Sequence, residues 1–195
     1  MNRKNVLLIV VFIAIIALGA ASSAGLFTGD DGKNGVPILA SGYYEVGKNL
    51  TPGEYYVYCD NFNNLYIEVA NDTSNSNESV IYNLNTDRGV FITVESGEFL
   101  EIDGGEIFEL NSTPYIGPDN GTYKGGMYRV GEDIPAGEYE VTTVESSAYL
   151  EITNSSRHIA GDIIESLYFH NSTNITLEEG QYLLLSNSAR IEIPV

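Results

Sequence analysis

The chain has 195 residues, of which 43% are hydrophobic, and its formal net charge is −18. That apolar content is too high for a disordered chain and is sufficient for a packed β core. A surface this acidic repels nucleic acid, which argues against a nucleic-acid partner. Cys59 is the only cysteine, so no intramolecular disulfide can form, and a small buried or loop residue is its simplest interpretation.

The N-terminus has a short basic start and then an uncharged run, residues 6–27, that spans 22 residues. A secretory signal has this layout, and Ser22, Ser23 and Ala24 fit its cleavage site. A membrane helix of about 17–25 residues is the other hypothesis. The run is longer than the usual signal core of about 7–15 residues, which favours the anchor. Both hypotheses export the rest of the chain, so the predicted location is extracytoplasmic, either membrane-anchored or secreted.

Residues 28–41 are predicted to be a linker, and residues 42–110 a first β module. Alternating apolar and polar residues, many of them aromatic or β-branched, predict short strands. Pro52 and Gly53 predict a type II turn with Gly53 at positive φ, and Ser96-Gly97 predicts a tight hairpin. The strands are placed near residues 43–47, 54–59, 65–70, 79–84, 90–95, 98–103 and 106–110.

Residues 111–125, rich in Pro and Gly, are predicted to be a second linker, and residues 126–195 a second β module. The sequence after the N-terminal segment has no helical apolar period. The predicted fold is therefore all-β, with two tandem antiparallel β-sandwich, jelly-roll-like modules after an N-terminal hydrophobic helix. The strands of the second module are placed near residues 127–131, 138–144, 148–153, 162–169, 174–178, 181–186 and 190–193.

An internal repeat connects the two modules. The run YEVGKNLTPGEYYV at residues 44–57 recurs as YRVGEDIPAGEYEV at residues 128–141, with seven of fourteen positions identical. Further matches continue along the chain, including Tyr66 with Tyr149. Self-similarity at a fixed period indicates two copies of one structural unit.

The second copy contains GMYRVGEDIPAGEY at residues 126–139 and TLEEGQYLLL at residues 176–185. It resembles a repeat module of exported or membrane-anchored bacterial and archaeal proteins, with the pattern G-x-Y-x-V-G-x-D-I-P-A-G-E-Y and a later x-V-x-x-G-Q-Y-L-x-L. Met127 adds one residue to the opening, and the first copy departs at Asn49, Thr51 and Pro52. The resemblance covers both modules and implies a cell-surface β module, with no catalytic or binding residues to carry over.

Patterns for catalysis are missing from the sequence, which has no Gly-x-Ser-x-Gly, phosphate loop, His-Glu-x-x-His or cysteine pair. His158 and His170 are the only histidines, and without a third ligand at defined spacing they are interpreted as solvated loop residues. The sequence therefore predicts no enzyme, no cofactor and no metal. Carboxylates that recur in both copies are interpreted as polar-face residues: Glu54, Glu138, Glu68 and Glu151.

Outward-facing aromatic and acidic residues recur on matching strands. If Leu65, Ile67 and Val69 face the core, their neighbours point outward. Such residues can form a sugar-stacking platform or pack between the modules, and packing is favoured because aromatic side chains dominate interface energetics. The candidate ligand-binding residues are Tyr66, Glu68, Phe99, Tyr149, Glu151 and Tyr182.

Eight Asn-x-Ser/Thr sequons occur, most of them in predicted loops or linkers. In an exported chain they are candidate glycosylation sites. The candidate acceptors are Asn49, Asn71, Asn77, Asn111, Asn120, Asn154, Asn171 and Asn174.

The sequence thus predicts a non-enzymatic extracytoplasmic surface protein whose tandem β modules serve adhesion or envelope structure. Its predicted partners are the membrane, through the N-terminal segment, and surface glycans or other envelope proteins. The alternative is a carbohydrate-binding protein that uses the outward aromatic residues of the β modules.

Overall fold

The computed structural model describes residues 35–59, 65–74, 76–86, 88–186 and 188–193. This part of the chain is all-β, with four antiparallel sheets and no α-helix, as the alternating pattern predicts. The predicted N-terminal helix falls on residues 1–27, outside the described ranges. Within those ranges, no helix is long and apolar enough to cross a membrane.

Seven strands between residues 42 and 109 form two sheets, which we call the N-terminal sheet pair. A four-stranded sheet has the order β1-β6-β3-β4, and a three-stranded sheet has the order β5-β2-β7. The strands are β1 (Gly42–Glu45), β2 (Gly53–Tyr58), β3 (Leu65–Ala70), β4 (Val80–Thr86), β5 (Val90–Val94), β6 (Phe99–Asp103) and β7 (Glu106–Glu109).

The inner faces of these two sheets share one core. Leu65, Ile67 and Val69 of β3 are each 0% exposed, as the sequence predicts. They lie in one cluster with Val57 of β2 and Ile92 of β5, which belong to the other sheet. Because side chains alternate along a strand, their neighbours on β3 face outward.

Eight strands between residues 122 and 192 form the C-terminal sheet pair, with its own core cluster. One sheet has the order β12-β11-β14-β9 and the other β13-β10-β15-β8. The strands are β8 (Thr122–Tyr123), β9 (Gly126–Arg129), β10 (Gly137–Thr143), β11 (Ala148–Thr153), β12 (Ile163–Phe169), β13 (Ser172–Leu177), β14 (Tyr182–Leu185) and β15 (Ala189–Glu192).

Strand order and register correspond between the two sheet pairs. The order β1-β6-β3-β4 matches β9-β14-β11-β12, and β5-β2-β7 matches β13-β10-β15. Tyr43 lies opposite Glu101, as Met127 lies opposite Leu184. Corresponding positions can therefore be compared residue by residue.

Parts of the two predicted linkers lie in the sheets instead. Tyr123, in the second predicted linker, pairs with Ile191 of β15 and is buried. Leu39, in the first, forms the corresponding single bridge to Ile107 of β7. A pairing of only one or two residues is too short to produce an alternating pattern in the sequence. The prediction therefore followed the Gly and Pro residues nearby and assigned both segments to linkers.

The chain reverses at glycines other than the one predicted. Gly53 has a φ of 157° and begins β2, whereas a type II turn needs a φ near about +80° at that position. At these two corresponding reversals the residues with left-handed φ are Gly47 and Gly131, at 96° and 99°. The Gly47 N–H donates to the Leu50 carbonyl at 2.7 Å, which closes the turn.

The predicted hairpin at Ser96-Gly97 is a tight turn but not a hairpin. Gly97 has a φ of 92°, and the Glu98 N–H donates to the Glu95 carbonyl at 3.2 Å. However, the flanking strands β5 and β6 belong to different sheets. The turn therefore carries the chain from one sheet to the other. The two strands lie on opposite sides of the shared core, and both point apolar residues into it.

Candidate functional surfaces

The outer face of β9 and β14 packs onto the outer face of the β5-β2-β7 sheet, and we call this region the docking contact. Met127 of β9 is 1% exposed and belongs to the core cluster of the N-terminal sheet pair. Tyr182 and Leu184 of β14 pack against the same cluster. The ring of Phe91, which is fully buried, lies 6.1 Å from that of Tyr182. The contact thus has an apolar, aromatic centre.

A cation lies over that aromatic centre. The guanidinium carbon of Arg129 is 4.7 Å from the ring centroid of Phe91. Asp133 orients the guanidinium by accepting two hydrogen bonds, at 2.9 and 3.0 Å, and this raises the pKa of Arg129. A cation over an aromatic ring contributes about 0.5–2 kcal/mol, depending on how well water is excluded.

Glu54 accepts hydrogen bonds from the other sheet pair. Its Oε1 atom receives the Ser156 and Tyr182 hydroxyl groups, each at 2.6 Å. Burial and the hydrogen bond to Glu54 raise the pKa of Tyr182. A recurring carboxylate predicted to lie on a polar face is thus used in the docking contact, while its counterpart Glu138 is exposed.

A buried ion pair closes one side of the docking contact. Arg157 donates to both carboxylate oxygens of Glu98, at 2.8 and 2.7 Å, and Glu98 is only 7% exposed. The Thr93 N–H donates to the Ser156 carbonyl at 2.9 Å, and Arg157 donates to the Thr93 carbonyl at 3.2 Å. Two-point pairing between a guanidinium and a carboxylate fixes direction as well as distance.

His158 completes the docking contact and is not the solvated loop residue that the sequence predicted. Its Nε2 atom lies 2.8 Å from the Phe91 carbonyl, so Nε2 carries the proton and donates. Its ring packs 5.4 Å from that of Tyr82. The Nδ1 atom is buried without a hydrogen-bond partner. Burial lowers the pKa of His158, because a proton on Nδ1 would have no acceptor.

Three of the six candidate ligand-binding residues lie on the C-terminal sheet pair, where neighbouring side chains contact them; all six are half-buried. Tyr182 is in the docking contact. Tyr149 donates to Glu151 at 2.5 Å, and its ring lies 4.8 Å from that of Tyr168. Tyr168 therefore covers part of the ring that the sequence placed outward, and Tyr149 and Glu151 are half-buried.

The other three, Tyr66, Glu68 and Phe99, lie together on the outer side of β3 and β6. Tyr43 joins them, with its ring centroid 6.0 Å from that of Phe99 and the two planes inclined by 26°. Glu101 lies opposite both Tyr43 and Glu68 on the neighbouring strands. We call these five residues the aromatic–acid face.

Charge and hydrogen bonding link the members of this face. The Tyr66 hydroxyl donates to the Glu68 carboxylate, and that bond raises the pKa of Tyr66 to about 12. Tyr43 remains 44% exposed. Its pKa is raised by partial burial and by the nearby charges of Glu101, Glu68 and Asp72.

Sequence reasoning missed the main residues of the docking contact, including Phe91, Arg129, Arg157 and His158. The candidate residues were chosen at positions where the two copies of the repeat match. The contact instead uses positions where they differ: Glu45 stands where Arg129 does, and Asn174 where Phe91 does. Those differences were visible in the aligned repeats and are the signal that could have identified the contact.

All eight sequon asparagines are exposed. Six lie in loops or turns, Asn111 lies in a short 3₁₀ helix (Leu110–Ser112), and Asn174 lies within β13 on the outer face of its sheet. The side-chain amides are thus open to solvent, as an acceptor for glycosylation requires.

The remaining residues considered for chemistry are Cys59, His170 and any cluster of metal-ligating side chains. Cys59 is buried, as its sequence context predicts. His170 lies at the surface, with Nδ1 2.6 Å from the Ser146 carbonyl. Among the residues that the structure describes, no group of three or more His, Cys, Asp and Glu residues could hold a metal ion.

Comparisons with known proteins give no match: neither a protein-family model nor a curated protein is similar to this chain.

Proposed function

We propose that this protein is a non-enzymatic extracytoplasmic surface protein whose two tandem β-sandwich modules serve adhesion or envelope structure. The docking contact carries the proposal. Met127 of one sheet pair is part of the core of the other, and the ion pair of Arg157 with Glu98 is buried beside it. Domains joined only by a flexible linker move independently, whereas this contact makes the two sheet pairs one rigid arm.

Correspondence between the sheet pairs supports the tandem modules. The same strand order and register occur twice, and they occur where the sequence repeats. Each pair has two sheets with a shared core, which fits a β-sandwich of the jelly-roll-like kind. The sequence resemblance to exported or anchored surface modules points to the same class.

The proposed location depends on the uncharged run at residues 6–27, which acts as a signal peptide or a membrane anchor. The exposed sequons suit a chain that meets the glycosylation machinery outside the cytoplasm. A net charge of −18 keeps such a protein soluble and directs it toward cationic or neutral partners. The proposed partners are the membrane, surface glycans and other envelope proteins.

Protease treatment of intact cells tests the location. We expect a C-terminal tag on the full chain to be removed by added protease, and a variant that lacks residues 1–27 to be protected inside the cell. Recovery of the tagged full chain with the membranes indicates an anchor, and its release indicates a cleaved signal. Full protection of the intact chain, in cells whose other surface proteins are cleaved, would contradict the proposal.

The second candidate function is carbohydrate binding, and the aromatic–acid face favours it. Exposed aromatic rings offer a flat apolar surface, while Glu68 and Glu101 can accept hydrogen bonds from hydroxyl groups. A glycan array separates the two functions. Glycan binding that is lost in a Tyr43→Ala/Phe99→Ala double variant supports carbohydrate binding. A blank array rejects it and leaves adhesion or envelope structure as the proposed function.

A further inference from the structure

We propose that the aromatic–acid face binds sugars that carry a free amino group, such as the glucosamine units of an oligosaccharide, and rejects anionic sugars. The inference rests on carbohydrate binding as the function of this face and names its ligand class. It depends on the charges of the face, on its outward-facing rings, of which Tyr43 is exposed and Phe99 half-buried, and on its difference from the docked face of β9 and β14.

Two carboxylates oppose each other on this face. Glu68 of β3 lies directly opposite Glu101 of β6. Cβ atoms at such positions are about 4.5–5.5 Å apart, and like charges there destabilise the sheet. A protonated amine between the two carboxylates would relieve the repulsion. At the corresponding position of the C-terminal sheet pair, Glu151 lies opposite Leu184, so no such repulsion occurs.

The surroundings of the face supply no compensating positive charge on the strands. Strands β1, β6, β3 and β4 contain no Lys or Arg. At the edge of the sheet, Lys48 is paired with Glu45 at 2.7 Å. Glu45 corresponds to Arg129 on β9, so the two faces carry opposite charges at this edge position. Carboxylate- or phosphate-bearing sugars would meet only repulsion at the open face.

The rings make a sugar a better fit than a basic peptide. Tyr43 and Phe99 lie nearly parallel and point outward from a sheet, where they can contact the apolar side of a pyranose ring. Asn83 and Asn85 of β4 are exposed and present amide donors and acceptors for hydroxyl groups. Peptides are usually bound at a sheet edge or in a groove rather than on an open sheet face.

Calorimetry on the full chain tests the proposal with four probes: a short glucosamine oligomer, its N-acetylated counterpart, an oligogalacturonate and oligolysine. We expect binding of the glucosamine oligomer. Glu101→Leu, which installs the residue found at Leu184, should weaken that binding by about tenfold or more, because it removes a charge-assisted hydrogen bond. Tyr43→Ala should weaken it as well.

Controls separate a binding defect from a folding defect. Glu140→Leu removes an exposed acid from β10, on a different sheet, and should leave binding unchanged. Thermal unfolding should show that Glu101→Leu is at least as stable as the wild type, because the opposed charges are gone.

Other outcomes overturn specific parts of the inference. Equal binding of the N-acetylated oligomer, with no effect of Glu101→Leu, overturns selection for an amine and leaves carbohydrate binding standing. Binding of the oligogalacturonate overturns the charge argument. Oligolysine binding without glucosamine binding assigns the face to a basic peptide instead. A lack of binding to every saccharide overturns both this inference and carbohydrate binding.

Discussion

The outer faces of β2 and β10 occupy the same place in their sheets but have opposite character. Tyr56 lies opposite Phe91 in the N-terminal sheet pair, and both side chains are buried in the docking contact. Glu140 lies opposite Asn174 in the C-terminal sheet pair, and both are exposed. The backbone is thus common to both copies, and a few side chains decide which face is covered.

The comparison also explains why the contact forms only once. A third unit could not dock on the face of Glu140 and Asn174, because that face lacks the aromatic surface that Phe91 provides. The opposite end of the chain has the aromatic–acid face, where Glu101 replaces Leu184.

Of the substitutions that test this comparison, removal of the Phe91 ring should change the free energy of unfolding most. Phe91→Ala should lower the free energy of unfolding by about 3–5 kcal/mol, because it deletes a fully buried aromatic side chain. The matched variant Asn174→Ala changes an exposed residue and should shift it by about 0.5 kcal/mol or less. Chemical denaturation measures both, and equal losses would mean that the two faces do not differ as described.

The second-largest loss of stability is expected at Met127, which can be compared with Tyr43 at the corresponding position of the other sheet pair. Met127→Ala should cost about 2–4 kcal/mol, because this side chain is buried in the docking contact against the other sheet pair. Tyr43→Ala, at the corresponding position, should cost about 0.5–1.5 kcal/mol through loss of its contact with Phe99. A larger loss at Tyr43 than at Met127 would show that the open face also supports the fold.

The ion pair offers a finer test. Glu98→Gln should cost about 1–3 kcal/mol, because it leaves the buried guanidinium of Arg157 without its counter-charge. Its counterpart Gln181 already accepts the Glu178 N–H at 2.9 Å, as Glu98 accepts the Glu95 N–H, so the turn itself should survive. An Arg157→Gln change added to Glu98→Gln should restore part of the loss. Additive losses in the double variant would exclude direct coupling.

The smallest expected effect is a pH dependence from His158. Burial lowers its pKa below the ordinary value of 6.5, so the unfolded chain binds the proton more readily. Stability is therefore fully present above about pH 7 and declines as the pH falls from there toward 5, by at most about 1.4 kcal/mol per pH unit.

Thermal unfolding at several pH values measures this effect against His158→Gln, which keeps a donor for the Phe91 carbonyl and does not titrate. The variant should show a flatter profile between pH 7 and 5. Parallel profiles for the two proteins would place the pH dependence on groups other than His158.

The sequence predicted the strands well because each has several alternating residues. It placed the strand at residues 148–153 where β11 lies and correctly turned Leu65, Ile67 and Val69 inward. It failed at Tyr123, whose strand has only two residues. It also failed to pair strands across turns, since the turn at Gly97 has the same local chemistry whether or not its flanking strands pair.

The surfaces were harder to predict than the strands. Alternation identifies which side chains leave the core, but not whether another part of the chain covers them. Tyr182 and Phe99 occupy corresponding positions in the alternating pattern of their strands. Tyr182 lies in the docking contact, whereas Phe99 lies on the aromatic–acid face. The deciding residues, such as Arg129 and Phe91, are distant in sequence and come together only in the folded chain.

The docking contact has a consequence for folding during synthesis, because its two sides are made at different times. Phe91 is made early, but Tyr182 and Leu184, which help to cover its sheet, follow about ninety residues later. At about 5–20 residues per second, the aromatic patch stays uncovered for roughly 5–20 s in every molecule that is made. During that interval the nascent chain exposes the kind of surface that chaperones bind. Such help should matter more for this chain than the small size of its sheets suggests.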